Sequence, residues 1–334
     1  MVIFELPADS AGEGLRASVL GSCRVRNPIF TLRDRGDLKI FAEGPTPTHT
    51  VGEALQTLDI VLGERQIPDA LSPYIFETER TPAMHRLSKT LREGVDVFVL
   101  EVSDDKLFSY GDIHFNQNFV ARNLIQAQRG ALLDWYRQIC RGATADEECV
   151  QAALAKMREG GLRHDGHMAD LLRGVRLERE DGEEINQSLA ALIAKAGGRW
   201  IVVGAVAVPG HEGAIMRDRR DLNAKLEKAG AHCGATFFDP SQLIADHGQA
   251  NVLAAQGADI YEYADEFFPM LGEILVGMVR AAAPATGRRF AALRSPTTPL
   301  VWGTPPRGRL RATWRRMTRY FGRRLERLRR LGRS

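Results

Sequence analysis

The chain has 334 residues, 44% of them hydrophobic, enough for one large core or two modest ones. No apolar run reaches the ~20 residues of a membrane-spanning helix, and Met1–Ser10 carries neither a basic start nor a sustained apolar stretch, so neither a membrane span nor a secretory signal is expected. The net charge of +3 conceals two unlike parts: from Arg307 to Ser334 twelve Arg face one acid, Glu326, so this tail carries +11 and the rest of the chain −8.

Short apolar, β-branched runs alternate with helical patterns. Ala17–Leu20, Leu38–Phe41, Asp96–Val102, Trp200–Val206 and Ala235–Phe238 read as strands buried on both faces. Val51–Gly63, Pro82–Gly94 and Arg217–Gly230 read as helices between them, and Phe267–Val279 as an amphipathic helix after them. Strand alternating with helix predicts an α/β fold, a three-layer sandwich around a mostly parallel sheet. From about Asn116 to Gly197 the pattern is almost wholly helical, which predicts an insertion between two core strands, acting either as a packed cap or as a lid over the carboxyl edge of the sheet. The expected organisation is therefore an α/β body over 1–280 with a helical insertion at about 116–197, a Pro-rich linker over 281–306, and the basic tail over 307–334.

Four cysteines, Cys23, Cys140, Cys149 and Cys233, form no C-x-x-C pair, and so few in so long a chain point to reduced thiols in the cytoplasm. The first strand runs into Gly21-Ser22-Cys23-Arg24. Gly21 permits a tight exit from the strand, and a following helix would aim its free N–H groups at the same point, favouring negative charge there. A serine so placed can attack a carbonyl while its own N–H helps hold the oxyanion. Cys23 is either a thiol activated by Arg24 and Arg26 or, in the plainer reading, a small apolar filler. Arg24 is either a bidentate ligand for a phosphate or carboxylate or an ordinary ion-paired side chain.

This turn resembles the first block of the SGNH/GDSL hydrolase superfamily, in the G-S-C form of its GSCFA-like and capsule-biosynthesis (WcbI-like) branches. Further segments follow in the order that resemblance implies: Thr48-His49-Thr50-Val51-Gly52-Glu53-Ala54-Leu55, Leu100-Glu101-Val102-Ser103-Asp104, Phe237-Phe238-Asp239-Pro240-Ser241, and Gly257-Ala258-Asp259-Ile260-Tyr261-Glu262-Tyr263. The resemblance implies an SGNH/flavodoxin-like fold, Ser22 as nucleophile, Asp259 as the acid that orients a base, and Gly21, Cys23, Arg24, Ser103 and Asp104 around the substrate. It also implies acyl or acetyl chemistry on a carbohydrate or glycolipid in surface-polysaccharide synthesis. The chain departs from the family pattern twice. Glu262 stands where a His is usual, and Ser103 or Asp104 stands nearest the place of an oxyanion-holding Asn. A serine without an adjacent base is a poor nucleophile. Glu262 could serve if burial raised its pKa, a His from elsewhere could serve, with His49 foremost, or the pocket is kept for binding or transfer alone.

Asp104, Asp105, Asp112 and His114 cluster after the middle strand without a metal-ligand spacing, and His164 and His167 read as a polar helix end, so no metal is expected. No phosphate-binding glycine motif for nucleotides is present. In the tail, Leu310, Trp314, Met317, Phe321, Leu325 and Leu328 form one helical stripe among the Arg residues, the composition of an amphipathic helix lying on anionic lipid. Docking onto an acidic partner or onto the chain's own body is a second reading; nucleic acid is disfavoured because it would leave those apolar residues in water. Together these features lead to an enzyme at the cytoplasmic face of the inner membrane, needing no bound cofactor and taking its acyl group from a donor such as acyl-CoA. A non-catalytic binding or scaffold protein with a degenerate SGNH-like site is the alternative.

Overall fold

The structure is a computed structural model that describes residues 16–33, 39–43, 47–76, 81–142, 144–162, 166–208, 213–255, 257 and 259–282. The first ten residues, His164, the linker from 283 onward and the tail over 307–334 lie outside the described residues.

All five core strands expected from the sequence form. In chain order the strands are β1 (Arg16–Leu20), β2 (Lys39–Glu43), β3 (Val97–Glu101), β4 (Lys106–Tyr110), β5 (Ile113–Phe115), β6 (Val175–Arg179), β7 (Arg199–Val203), β8 (Thr236–Phe238), β9 (Leu253–Ala254) and β10 (Asp259–Tyr263). The central sheet has the order β2-β1-β3-β7-β8, and every pair in it is parallel. After β1 the chain builds outward to β2, then returns to place β3 on the other side of β1. That reversal makes the gap between the carboxyl ends of β1 and β3 the switch point, where sheets of this order bind ligands.

In-register neighbours keep two faces separate. Val19, Val99 and Ile201 point to one side with Val25 and Ile29 of the Cys23–Arg33 helix and Leu271, Leu275 and Val279 of the Phe268–Ala282 helix. Leu20, Leu100 and Val202 point to the other, with Leu58 of the Val51–Leu62 helix, Leu87 of the Thr81–Glu93 helix, Leu189 of the Gly182–Ala196 helix and Leu226 of the Gly213–Cys233 helix. On that second face Phe98 stacks on Trp200 with ring centroids 4.4 Å apart. Continuous apolar runs are what a strand buried on both sides requires, and β3 is buried throughout; β8 departs from that expectation, with Thr236 exposed and Phe237 and Phe238 half-buried at the end of the sheet.

The long segment between β3 and β7 corrects one expectation. It holds the Leu133–Gly142, Glu147–Glu159, Gly166–Gly174 and Gly182–Ala196 helices, but β6 interrupts the helical run expected over 116–197. Val175, Leu177 and Arg179 alternate with Arg176 and Glu178, a period-two pattern that pairs antiparallel with β4, itself paired to β5. Five residues between two helices are too few to outweigh the helical periodicity around them. Trp135, fully buried, anchors the insertion by donating its Nε1–H to Leu172 O at 2.9 Å.

Candidate functional site

The turn after β1 sits at the switch point. Gly21 lies so close to β3 that a Cβ there would stand 2.6 Å from Glu101 Cβ, so only glycine lets the two strand ends approach. Ser22 then opens the Cys23–Arg33 helix, and its hydroxyl accepts the Arg24 N–H at 3.2 Å, as a helix cap does. The Ser22 N–H donates to Glu101 Oε2 at 2.7 Å, and the Arg24 guanidinium pairs with Glu101 Oε1 at 2.5 Å. Both charged side chains are buried, so the carboxylate ending β3 neutralises the turn after β1. Arg24 is thus ion-paired with Glu101 in this structure. Burial is the main cause that pushes the Cys23 thiol above its ordinary pKa, and Glu101 adds to it, against an activated thiolate. Behind the pair lies Tyr263 of β10, buried, its hydroxyl pushed up chiefly by burial.

His49 enters from the other side. Thr50 caps the Val51–Leu62 helix by accepting Glu53 N–H at 3.1 Å, and Glu53 Oε2 reaches back to accept His49 N–H at 3.0 Å. The stretch from Thr48 to Leu55 is therefore a helix start that holds His49 in place. His49 O accepts the N–H groups of Ser103 at 2.9 Å and Asp104 at 3.0 Å, tying this loop to the end of β3. The imidazole has a partner on each nitrogen: Ser103 Oγ lies 3.0 Å from Nδ1, and Asn118 Nδ2 lies 2.8 Å from Nε2. Burial is the largest influence on this ring and lowers its pKa, with Arg24 acting in the same sense and Glu101 and Asp104 opposing. His49 is therefore a neutral imidazole at pH 7, the form that accepts a proton.

A second tier of buried polar groups supports it. Asn116 donates to Pro47 O at 2.6 Å and to Glu53 Oε2 at 3.2 Å, and its Oδ1 accepts Asn118 N–H at 3.0 Å. Burial pushes Glu53 up to about 8 and Glu180, which accepts Gly52 N–H at 2.8 Å, up to about 7. Asn118 leads directly into a π-helix over Val120–Gln126, a wide-turned form concentrated near functional sites.

The structure thus gathers Gly21, Ser22, Arg24, His49, Ser103 and Asp104 at one sheet edge, with Cys23 beside them. Asp104 serves a turn there, its Oδ1 accepting Asp105 N–H at 3.0 Å and Lys106 N–H at 3.2 Å. Asp259 and Glu262 are on β10. Asp259 Oδ1 accepts its own strand's Tyr261 N–H at 3.0 Å, while Glu262 acts electrostatically on Cys23. The ring nitrogens of His49 are held by Ser103 and Asn118, not by either acid. Asp239, in the segment matched to the family's closing motif, caps the Pro240–His247 helix and receives Asn223 Nδ2 at 3.1 Å. Asp105 is paired with Arg179 and Lys225, and Asp112 with Arg65. His167 is exposed at the start of the Gly166–Gly174 helix. Among the described residues no group of three or more His, Cys, Asp or Glu is arranged to hold a metal ion. Among the described residues no disulfide joins the cysteines, and no helix is long and apolar enough to cross a membrane.

A sequence profile of the TviD N-terminal domain matches residues 15–278. The chain belongs to the TviD N-terminal domain family. The matched span includes every site residue from Gly21 to Glu262 and stops short of the Arg-rich tail. A Vi polysaccharide biosynthesis protein TviD of Salmonella typhi is 23% identical over 273 residues, covering 78% of this chain and 31% of that protein. The chain therefore spans about a third of the length of that relative. Within this TviD N-terminal domain, sequence reasoning missed Glu101, Asn116 and Asn118. Glu101 had a signal: a lone carboxylate closing the apolar run Val97-Phe98-Val99-Leu100 must find a buried partner. Asn116 and Asn118 had none beyond their place ahead of a helical pattern.

Proposed function

We propose that this chain transfers an acyl group to a carbohydrate, or cleaves an acyl ester from one, in polysaccharide biosynthesis, with His49 as the general base. The observation that carries the reading is the buried His49 at the switch point, one nitrogen on a hydroxyl and the other on a side-chain amide. A base between a hydroxyl and an orienting group is what acyl transfer needs. The carbohydrate acceptor is supported by the relative in Vi polysaccharide biosynthesis, and the acyl chemistry by the SGNH-like order of motifs, which also supports a three-layer, SGNH-like arrangement of the body. The donor in this reading is an activated acyl thioester such as acyl-CoA.

The decisive assay measures thiol release from acetyl-CoA with a polysaccharide acceptor, and p-nitrophenyl acetate cleavage, for the full chain and for His49→Ala. Loss of the base is expected to lower the rate by roughly 10²–10⁴-fold. Equal rates in the two proteins would remove His49 from the chemistry.

A binding or scaffold role is the second reading, favoured by the self-satisfied Ser22–Arg24–Glu101 knot and by Glu262 in the place of a His. Saturable carbohydrate binding without turnover would select it. In either reading the pattern over 307–334 assigns the tail to an anionic membrane surface, where each Arg adds on the order of 1 kcal/mol. The full chain is expected to float with phosphatidylglycerol-containing liposomes and a chain ending at Ala283 to stay behind; equal flotation would sink the membrane assignment.

A further inference from the structure

We propose that Ser103, rather than Ser22, is the nucleophile of this site, working in a Ser103–His49–Asn118 relay; the proposal rests on the acyl-transfer reading and names its reacting atom. The two serines lie at the ends of neighbouring strands but in opposite states. Ser22 Oγ is engaged by Arg24 N–H and its N–H by Glu101. Among the described contacts its hydroxyl has no imidazole or carboxylate partner. Ser103 Oγ lies 3.0 Å from His49 Nδ1, within proton-transfer reach. Asn118 holds the opposite nitrogen at 2.8 Å, completing the nucleophile–base–orienter order that recurs on unrelated folds, including a form with Asn as the third member.

Access agrees with this order. His49 is nearly shielded at 9% exposure, Ser103 is half-buried, and Asn118 is exposed, so the hydroxyl sits at the rim and the base beneath it. A neutral imidazole has one N–H and one lone pair. With the Asn118 amide turned so that Oδ1 takes the Nε2–H, Nδ1 is left to accept the Ser103 proton. With Nδ2 on Nε2, the orientation the structure has, Nδ1–H points at Ser103 and the base is capped until the amide turns. The two amide orientations occupy the same space and exchange by a half-turn. Asn116 fixes the Asn118 backbone, and through Glu53 the same network fixes the His49 backbone.

In the reaction, Ser103 Oγ bonds to the acyl carbon as its proton passes to His49 Nδ1. The bond from that carbon to the thioester sulfur or ester oxygen then breaks, and the leaving group takes the proton from His49. An acceptor hydroxyl, or water, next gives its proton to Nδ1 while its oxygen bonds to the same carbon. Ser103 Oγ departs and recovers that proton. The acyl group moves, and nothing is oxidised or reduced.

The test is labelling of the full chain with an alkyl fluorophosphonate, which forms a stable adduct with a base-activated serine, followed by peptide mapping. The adduct is expected on Ser103, to vanish in Ser103→Ala and His49→Ala, to form at least tenfold more slowly in Asn118→Ala, and to persist at Ser103 in Ser22→Ala. An adduct on Ser22, or none on Ser103, overturns the proposal, and the wild-type map decides this even if a variant fails to fold. The transfer assay run alongside separates the two claims. Undiminished transfer by Ser103→Ala overturns Ser103 and leaves the acyl-transfer reading standing. A Ser103 adduct with no turnover of any acyl donor supports the nucleophile and counts against that reading.

Discussion

The Ser22 turn and the His49 loop meet at one sheet edge, yet they satisfy their polar atoms in different ways. On the Ser22 side a full negative charge and a full positive charge are buried together, and the carboxylate also takes a backbone N–H. Such a knot is rigid, because moving either partner exposes an uncompensated charge to a poorly polarisable interior. On the His49 side the contacts are between neutral groups, a hydroxyl, an imidazole and an amide, whose protons can be redistributed while the heavy atoms stay. A general base needs the second kind of environment. In the proposed reading the turn most conspicuous in the sequence serves as scaffold, and the groups placed for proton transfer are its neighbours.

Removing one charge from the knot is the severest challenge to that contrast. Glu101→Ala leaves Arg24 buried and unpaired and is expected to lower stability by about 3–5 kcal/mol in urea denaturation. The double replacement Arg24→Met with Glu101→Leu should recover most of the loss, since two apolar groups leave no charge stranded. If Glu101→Ala is as stable as wild type, the knot is not what holds the turn.

The His49 side predicts a pH effect of the opposite origin. Burial raises Glu53 to about 8 and Glu180 to about 7 in the folded chain, against 4.5 for an ordinary Glu carboxyl. Between those values the folded state keeps protons that the unfolded state has released. Stability from this source is full below about pH 4.5 and is lost as pH rises through 7 to 8. The unfolding free energy from urea denaturation should fall between pH 5.5 and 8.5 by on the order of a few kcal/mol, and Glu53→Gln should flatten much of that slope. A slope unchanged in Glu53→Gln would assign the effect elsewhere.

Ser22→Ala removes the helix cap, an expected loss of about 0.5–2 kcal/mol by the same denaturation measurement. No measurable change would mean that the cap is replaced by another group. Least in size is a shift in the pH–rate profile. Burial lowers the His49 pKa from 6.5, so the acid limb of turnover is expected below that value, and a limb above it would contradict a buried neutral base.

The core strands were readable because burial on both faces demands unbroken apolar runs such as Val97–Leu100, and the Val51–Leu62 helix because Leu55, Leu58 and Leu62 recur at helical spacing ahead of Gly63. β6 was not, since its five alternating residues lie between helices and gain strand structure only by pairing with β4. Ser22 and His49 were both visible as candidates, in separate motifs, and so was the place of Glu262 in the closing one. Their relation was not visible, because hydrogen-bond partners 54 and 69 residues apart are set by strand order, not by local pattern.

By itself the sequence determined the alternation of strand and helix, the glycine turn at the end of the first strand and the charge division between body and tail. These are local properties, written in periodicity, turn chemistry and composition. Only the tertiary structure decided which groups face each other across the switch point. By setting β3 beside β1 it gave Glu101 to Ser22 and Arg24, and by folding the Asn116–Asn118 segment over the His49 loop it gave His49 to Ser103 and Asn118. A buried polar atom must take whatever partner the packing brings within reach, and that reach is measured through space.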